Sequence, residues 1–249
     1  MKEKTTQDRV VLITGAGKGI GRAVVEALAR RAEVAGSPLA LCLSARTRSD
    51  LETLKTRLDS STVRCEVVAG DLADAPTQPV EACLARFGRI DALIHCAGVG
   101  RFKDFLDQTA LDLEFTLKTN VTATFLLLQR VYAVMRAQAP REGLRGQIQV
   151  VTSIAAEQPF LQSSTYCLSK YAQRGLLDVM KLYGRQDGIR ILEVKPGAAY
   201  TPIWGEVPPE QLARMMTAED VAQPMVDALE LSSRASLESL TIRPLHGDL

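Results

Sequence analysis

Histidine is scarce in this chain of 249 residues: His95 and His246 are the only two. Two are too few for a histidine-rich metal site, and no metal is expected. The five cysteines (Cys42, Cys65, Cys83, Cys96, Cys167) are odd in number, scattered and free of CxxC spacing. That pattern argues against a disulfide framework and against a zinc motif. Cys42 and Cys65 sit inside apolar, strand-like runs, so the cysteines read as buried free thiols in a reducing cytoplasm. No apolar run approaches a membrane span. The opening residues, "MKEKTTQDRV", lack the apolar stretch of a signal peptide, and a cytoplasmic location is the expectation. Charge of one sign is not in excess either. The net charge is +1, and Lys and Arg are spread along the chain. The basic stripe of a nucleic-acid binder is missing, so neither nucleic acid nor membrane is an expected partner. No linker, repeat or low-complexity tract divides the sequence. One domain over residues 1–249 is therefore expected, and "QAPREGLRG" (138–146) is read as a surface loop.

What is present is an ordinary globular composition, 46% hydrophobic and 24% charged. Short apolar runs alternate with longer helical patterns. Strands are expected at 9–15, 39–45, 63–71, 90–98, 146–153, 189–197 and 239–243. Helices are expected at 19–32, 48–58, 78–87, 110–138, 163–184 and 217–230. The run "LALCLSA" is apolar enough to be buried on both faces. Such alternation implies an α/β fold with a parallel sheet of about seven strands covered by helices on both faces.

Two motifs carry chemistry. "TGAGKGIG" (14–21) follows the first strand and opens the first helix. Gly15, Gly19 and Gly21 permit a tight turn and a close approach of backbone to a pyrophosphate, while the helix N-terminus offers N–H groups and partial positive charge. Its spacing is GxxxGxG, not GxGxxG, and a turn without a ligand is the plainer alternative. "YCLSK" (166–170) sets Tyr166 one helical turn before Lys170, on the same face. An ammonium near a phenol favours the phenolate and lowers a pKa that is normally about 10, which makes a proton donor near neutral pH. Alone, such a pair is as readily two residues of a helix surface.

"TGAGKGIG", "HCAG", Asn120, Ser153 and "YCLSK" lie in the order and spacing of the short-chain dehydrogenase/reductase family, and the sequence resembles that family from about residue 9 to the last strand. One departure is visible: His95 and Cys96 stand where the family's fourth-strand motif has two asparagines, whose side chains help hold the central strands. The resemblance implies a single doubly wound, Rossmann-type domain, with a cofactor half over about 9–100 and a catalytic and substrate half over about 101–249. It also implies a catalytic set. Ser153 would hydrogen-bond the substrate carbonyl oxygen and Tyr166 would protonate it. Lys170 would hold the nicotinamide ribose and lower the tyrosine pKa. Asn120 would hold a water linking Lys170 to solvent.

The cofactor residues implied are Gly15, Gly17, Lys18, Gly19, Ile20 and Gly21 of the loop, and Asp71 and Leu72 on the adenine side. Ala97, Gly98, Pro196, Gly197 and Thr201 lie toward the nicotinamide, together with Tyr166 and Lys170. No carboxylate lies between Leu39 and Ser49, where an NAD-preferring fold usually has one. Arg46 and Lys18 instead suit a 2′-phosphate, so NADPH/NADP is the expected cofactor.

Several stretches ("LSAR", "GVGRF", "QRGLL", "GAAYTPIWG", "IRPLHGD") are similar to bacterial sepiapterin reductases, a group within the family. That similarity implies hydride transfer to the side-chain carbonyl of a pterin. Phe102 and Trp204 would then wall a pterin slot, with Ser153 and Tyr166 at the reacting carbonyl. Trp204 reads equally as a hydrophobic anchor of the lid. Asp104, Asp107 and Glu157 are each candidates to hold the aminopyrimidine end. Two other readings stay open: reduction of another carbonyl, such as a 3-oxoacyl thioester, a sugar or a small ketone, and a non-catalytic NADP-binding regulator. A homodimer or homotetramer is expected from the resemblance, through the helices at 110–138 and 163–184, where Leu126, Leu127, Leu176 and Leu177 lie.

Overall fold

The computed structural model describes residues 8–247. Seven strands form one parallel sheet: β1 (Arg9–Thr14), β2 (Leu39–Ala45), β3 (Val63–Ala69), β4 (Ala92–His95), β5 (Gly146–Val151), β6 (Ile189–Pro196) and β7 (Ser239–Ile242). Their order is β3-β2-β1-β4-β5-β6-β7. The direction of winding reverses between β1 and β4, so the ends of Thr14 and His95, paired in register, mark the crevice where such sheets bind ligands.

The helices are α1 (Gly19–Ala35), α2 (Arg48–Leu58), α3 (Gln78–Phe87), α4 (Ala110–Leu117), α5 (Thr124–Ala137), α6 (Ser164–Asp187), α7 (Pro209–Leu212) and α8 (Ala218–Ala228). Strand residues alternate between two cores, as the two-residue period of a strand requires. Val11, Ile13, Leu41 and Leu43 pack with Val24 and Leu28 of α1 and Val221 and Met225 of α8. Val10, Leu12, Leu93 and Ile148 pack with Val80 of α3, Leu127 and Val131 of α5 and Leu177 of α6. Leu127 and Leu177 therefore face the sheet, while Leu126 and its neighbour Phe125 are exposed. Thr109 and Thr217 open α4 and α8 with reciprocal capping boxes to Asp112 and Asp220, which satisfy N–H groups at each start.

The helix expected over 110–138 is interrupted. Between α4 and α5, Lys118–Ala123 form a π-helical turn, and Asn120 lies inside it, fully buried. The buried face here is largely polar, with Asp112, Thr116, Asn120 and Thr124 all buried. Inside the turn Asn120 is bonded from two other elements, as described below. Single π turns of this kind recur at functional sites. No helix among the described residues is long and apolar enough to cross a membrane.

Candidate active site

A cleft of about 960 Å³ opens at the carboxyl ends of the strands. One wall is the loop from β1 into α1. Gly15 has φ +68°, and a Cβ there would lie 2.8 Å from the Ala97 nitrogen at the end of β4. A Cβ on Gly21 would lie 2.3 Å from the Gly15 carbonyl oxygen. Side chains at either position would push the loop out of its place, so the turn is built from glycine for steric reasons. Lys18 precedes α1 with no side-chain cap, and the first turn carries no acid. The first N–H groups of α1 and the positive end of its dipole are thus open to an anion in the cleft.

Gly17, Gly19, Ile20, Arg46, Asp71, Leu72, Ala97, Gly98, Pro196, Gly197 and Thr201 all line the same cleft. Thr201 packs against Gly19, closing the loop after β6 onto the glycine loop. Arg46 is exposed at the end of β2. One neighbour was not foreseen. Asp50, in the first turn of α2, also lines the cleft and lies 3.5 Å from Lys18. The carboxylate that the end of β2 lacks is supplied one turn later, and it pairs with one of the two expected phosphate ligands. The donor set fits a dinucleotide phosphate: open helical N–H groups, a glycine cradle and two cations.

At the other end Ser153, Tyr166 and Lys170 come together with Phe102 and Trp204. The Phe102 ring packs on Tyr166 with centroids 5.3 Å apart. Trp204 donates its Nε1–H to the Ala199 carbonyl at 2.9 Å, which fixes the ring edge while the side chain stays 41% exposed. It is an anchored side chain and a cleft wall at once. Asp104, Asp107 and Glu157 do not line this cleft. Asp104 accepts from the Leu106 N–H, and Glu157 is held by Lys195 at 2.6 Å and Arg174 at 3.3 Å.

The electrostatics differ from the simple tyrosine–lysine expectation. Burial pushes the Tyr166 phenol up to about 12, against a hydrogen bond with Ser153 that lowers it. Lys170 does not overcome this; its Nζ lies 5.5 Å from the Tyr166 ring centroid. Burial also pulls Lys170 down to about 8, with Cys96 and Glu193 acting the other way. Tyr166 is thus held as a neutral phenol, with a proton to give.

Asn120 sits behind the cleft. Its amide clamps the segment after β4, accepting from the Val99 N–H at 2.9 Å and donating to the Val99 carbonyl at 2.8 Å. It also donates to Ser169 Oγ at 3.0 Å. The link between Asn120 and Lys170 is a residue that was not anticipated. Gln173 donates to the Asn120 carbonyl at 2.7 Å and accepts from Lys170 Nζ at 2.9 Å. Its signal in the sequence is a polar residue three positions after Lys170, on the same buried face of α6.

His95 replaces the expected asparagine as a brace. Its Nδ1 meets Thr14 Oγ1 on β1 at 2.7 Å and its Nε2 meets Thr124 Oγ1 on α5 at 2.9 Å. Thr124 faces the Thr119 carbonyl, so the consistent tautomer donates from Nε2 and accepts at Nδ1 from Thr14. Burial pulls His95 down to about 3, and the ring is neutral. Cys42, Cys65, Cys83 and Cys167 are buried free thiols, whereas Cys96 is only half-buried and lines the cleft. Burial pushes its thiol up to about 12, so it is not a ready nucleophile.

The family model for short chain dehydrogenase matches residues 9–212. The chain is 41% identical over 244 residues to a sepiapterin reductase of Chlorobaculum tepidum, covering 96% of this chain and 98% of that protein. Two solved structures share the fold. An alcohol dehydrogenase from Thermococcus sibiricus, complexed with 5-hydroxy-NADP, superposes with TM-score 0.83 at 26% identity, covering 97% of this chain and 98% of the other. A 3-ketoacyl-ACP reductase from Sinorhizobium meliloti superposes with TM-score 0.80 at 25% identity, covering 94% and 97%.

Proposed function

The chain belongs to the short-chain dehydrogenase family of oxidoreductases, and on that premise we propose that it is an NADPH-dependent reductase of a pterin side-chain carbonyl, as a sepiapterin reductase is. The observation that carries the reading is one cleft in which the glycine cradle, Ser153, Tyr166, Lys170 and two aromatic walls converge. The relative at 41% identity supports the pterin.

Lys18, Arg46 and the open N-terminus of α1 would hold the phosphates of NADPH. Asp71 and Leu72 would flank its adenine. Ala97, Gly98, Pro196, Gly197 and Thr201 would cradle its nicotinamide half, and Lys170 would bond the ribose. When bound, NADPH supplies a hydride to the carbonyl carbon. Tyr166 gives its phenolic proton to the carbonyl oxygen, and the product is the alcohol. Ser153 hydrogen-bonds the same oxygen and fixes its distance from Tyr166. The phenolate left on Tyr166 is stabilised by the Lys170 ammonium, so lysine acts most strongly once the proton has left, consistent with the high pKa of the resting phenol. Phe102 and Trp204 take the pterin ring between apolar faces. We propose further that the chain assembles as a homodimer or homotetramer, a reading supported by the exposed Phe125 and Leu126 of α5 and Leu168, Val179 and Leu182 of α6.

A substrate panel tests the reading. NADPH consumption is followed with sepiapterin, a small diketone and a 3-oxoacyl thioester. Sepiapterin is expected to give the highest kcat/KM. Reduction of the diketone or thioester with no turnover of sepiapterin would remove the pterin and leave a reductase of another carbonyl.

A further inference from the structure

We infer that Gln173 is a positioning residue: its side-chain amide bridges Lys170 directly to the Asn120 carbonyl. The inference rests on Lys170 belonging to a reductase site, as proposed above.

The amide orientation follows from its partners. An ammonium can only donate and a backbone carbonyl can only accept. The atom facing Lys170 Nζ at 2.9 Å is therefore the oxygen, and the atom facing the Asn120 carbonyl at 2.7 Å is the nitrogen. The same nitrogen reaches Thr124 Oγ1 at 3.3 Å. Gln173 is 2% exposed, so neither end of the amide has free access to bulk solvent. Two of the three N–H groups of Lys170 are thereby committed, one to Gln173 and one to the Val151 carbonyl at 3.2 Å. The third is left for the cleft and Tyr166.

The π-helical turn presents the Asn120 carbonyl to Gln173, and the chain Thr14–His95–Thr124 backs the bridge from the far side. Passing a proton through a carboxamide requires its unfavourable imidic tautomer, so this bridge orients the ammonium and does not conduct protons. The titratable groups around Lys170 are His95 at the end of β4, Cys96 just after it, Glu193 from β6 and Tyr166 on its own helix. None of them is hydrogen-bonded to Nζ. Gln173 is the one side-chain acceptor that Lys170 has among the described residues.

The test titrates Lys170 in the ligand-free chain by 13C NMR of labelled lysine, with the signal assigned by Lys170→Arg. Gln173→Met keeps the length and removes the acceptor. Gln173→Glu keeps an acceptor and adds charge. The expected result is a Lys170 midpoint lowered by about one pH unit in Gln173→Met and raised by about one in Gln173→Glu. The pH profile of kcat should shift in the same two directions. Folded variants that leave the midpoint unchanged, or that move it the same way, would overturn the inference. Should Gln173→Met fail to fold, Gln173→Glu decides alone: an unchanged or lowered Lys170 midpoint would overturn the inference. The titration needs neither cofactor nor substrate. Failure of the wild-type chain to reduce pterins would count against the proposed substrate without touching this result.

Discussion

Replacing His95 by asparagine should make the fold less sensitive to acid. In the folded chain His95 is 1% exposed and its pKa is pulled down to about 3, first by burial and then by the Lys170 charge. In the unfolded chain it returns to about 6.5. Between those values the unfolded state binds a proton that the folded state refuses. Stability therefore rises with pH across this window, and it is lost as pH falls from about 6.5 toward 3. By pH 4 the loss from this one group is on the order of 3 kcal/mol, a large share of a typical stability of about 5–15 kcal/mol. Asparagine cannot take the proton. Its amide can still offer a donor and an acceptor between Thr14 and Thr124, although the smaller side chain will lower stability at every pH. The assay is urea unfolding at pH 7, 6, 5 and 4, with the wild-type chain and His95→Asn compared at each. The gap between them is expected to narrow by roughly 3 kcal/mol from pH 7 to pH 4, since carboxylates contribute equally to both. Parallel curves would show that His95 is not a buried neutral brace, and the bonding assigned to Thr14 and Thr124 would fall with it.

Arg46→Ala should cut the preference for NADPH over NADH about ten-fold in kcat/KM, through loss of a charge-assisted contact to the 2′-phosphate; an unchanged ratio would place the selectivity elsewhere. Trp204→Ala should raise KM for sepiapterin roughly three- to ten-fold while leaving a small diketone little affected, because only the pterin has a ring to stack. Equal effects on both substrates would mark Trp204 as an anchor alone, through its bond to Ala199. Light scattering at micromolar concentration should give the mass of a dimer or tetramer, and a mass near 27.1 kDa would contradict the oligomer.

The sheet was legible because short strand-like runs, of which β1, β2 and β4 are apolar and buried nearly throughout, alternate with helical periods, as a covered parallel sheet requires. Strands β2 and helices α2 and α3 fall at the expected residues. The cleft was legible because each motif sits at the end of a strand or on the helix after it, where the winding brings them together. What the sequence hid depends on contacts between elements. The π turn at Asn120 was not read from the sequence; the structure shows Asn120 there bonded to Val99 and Gln173. Asp50 lies outside the strand end where a carboxylate was sought, and a helical turn brings it back to Lys18. Glu157 was a reasonable pterin anchor by charge, but Lys195 and Arg174 already hold it. Spacing alone put Lys170 beside Tyr166; it could not show that burial outweighs the lysine and keeps the phenol protonated.

Tyr166→Phe tests the proposed chemistry most directly. Phenylalanine keeps the ring against Phe102 and deletes only the acid. Sepiapterin turnover is measured beside NADPH binding, read by fluorescence titration of the same preparation. The expected result is a loss of kcat of at least about a hundred-fold, the low end for a general acid, with NADPH affinity within a few-fold of wild type. Near-wild-type kcat in the variant would contradict the assignment of Tyr166 as the proton donor.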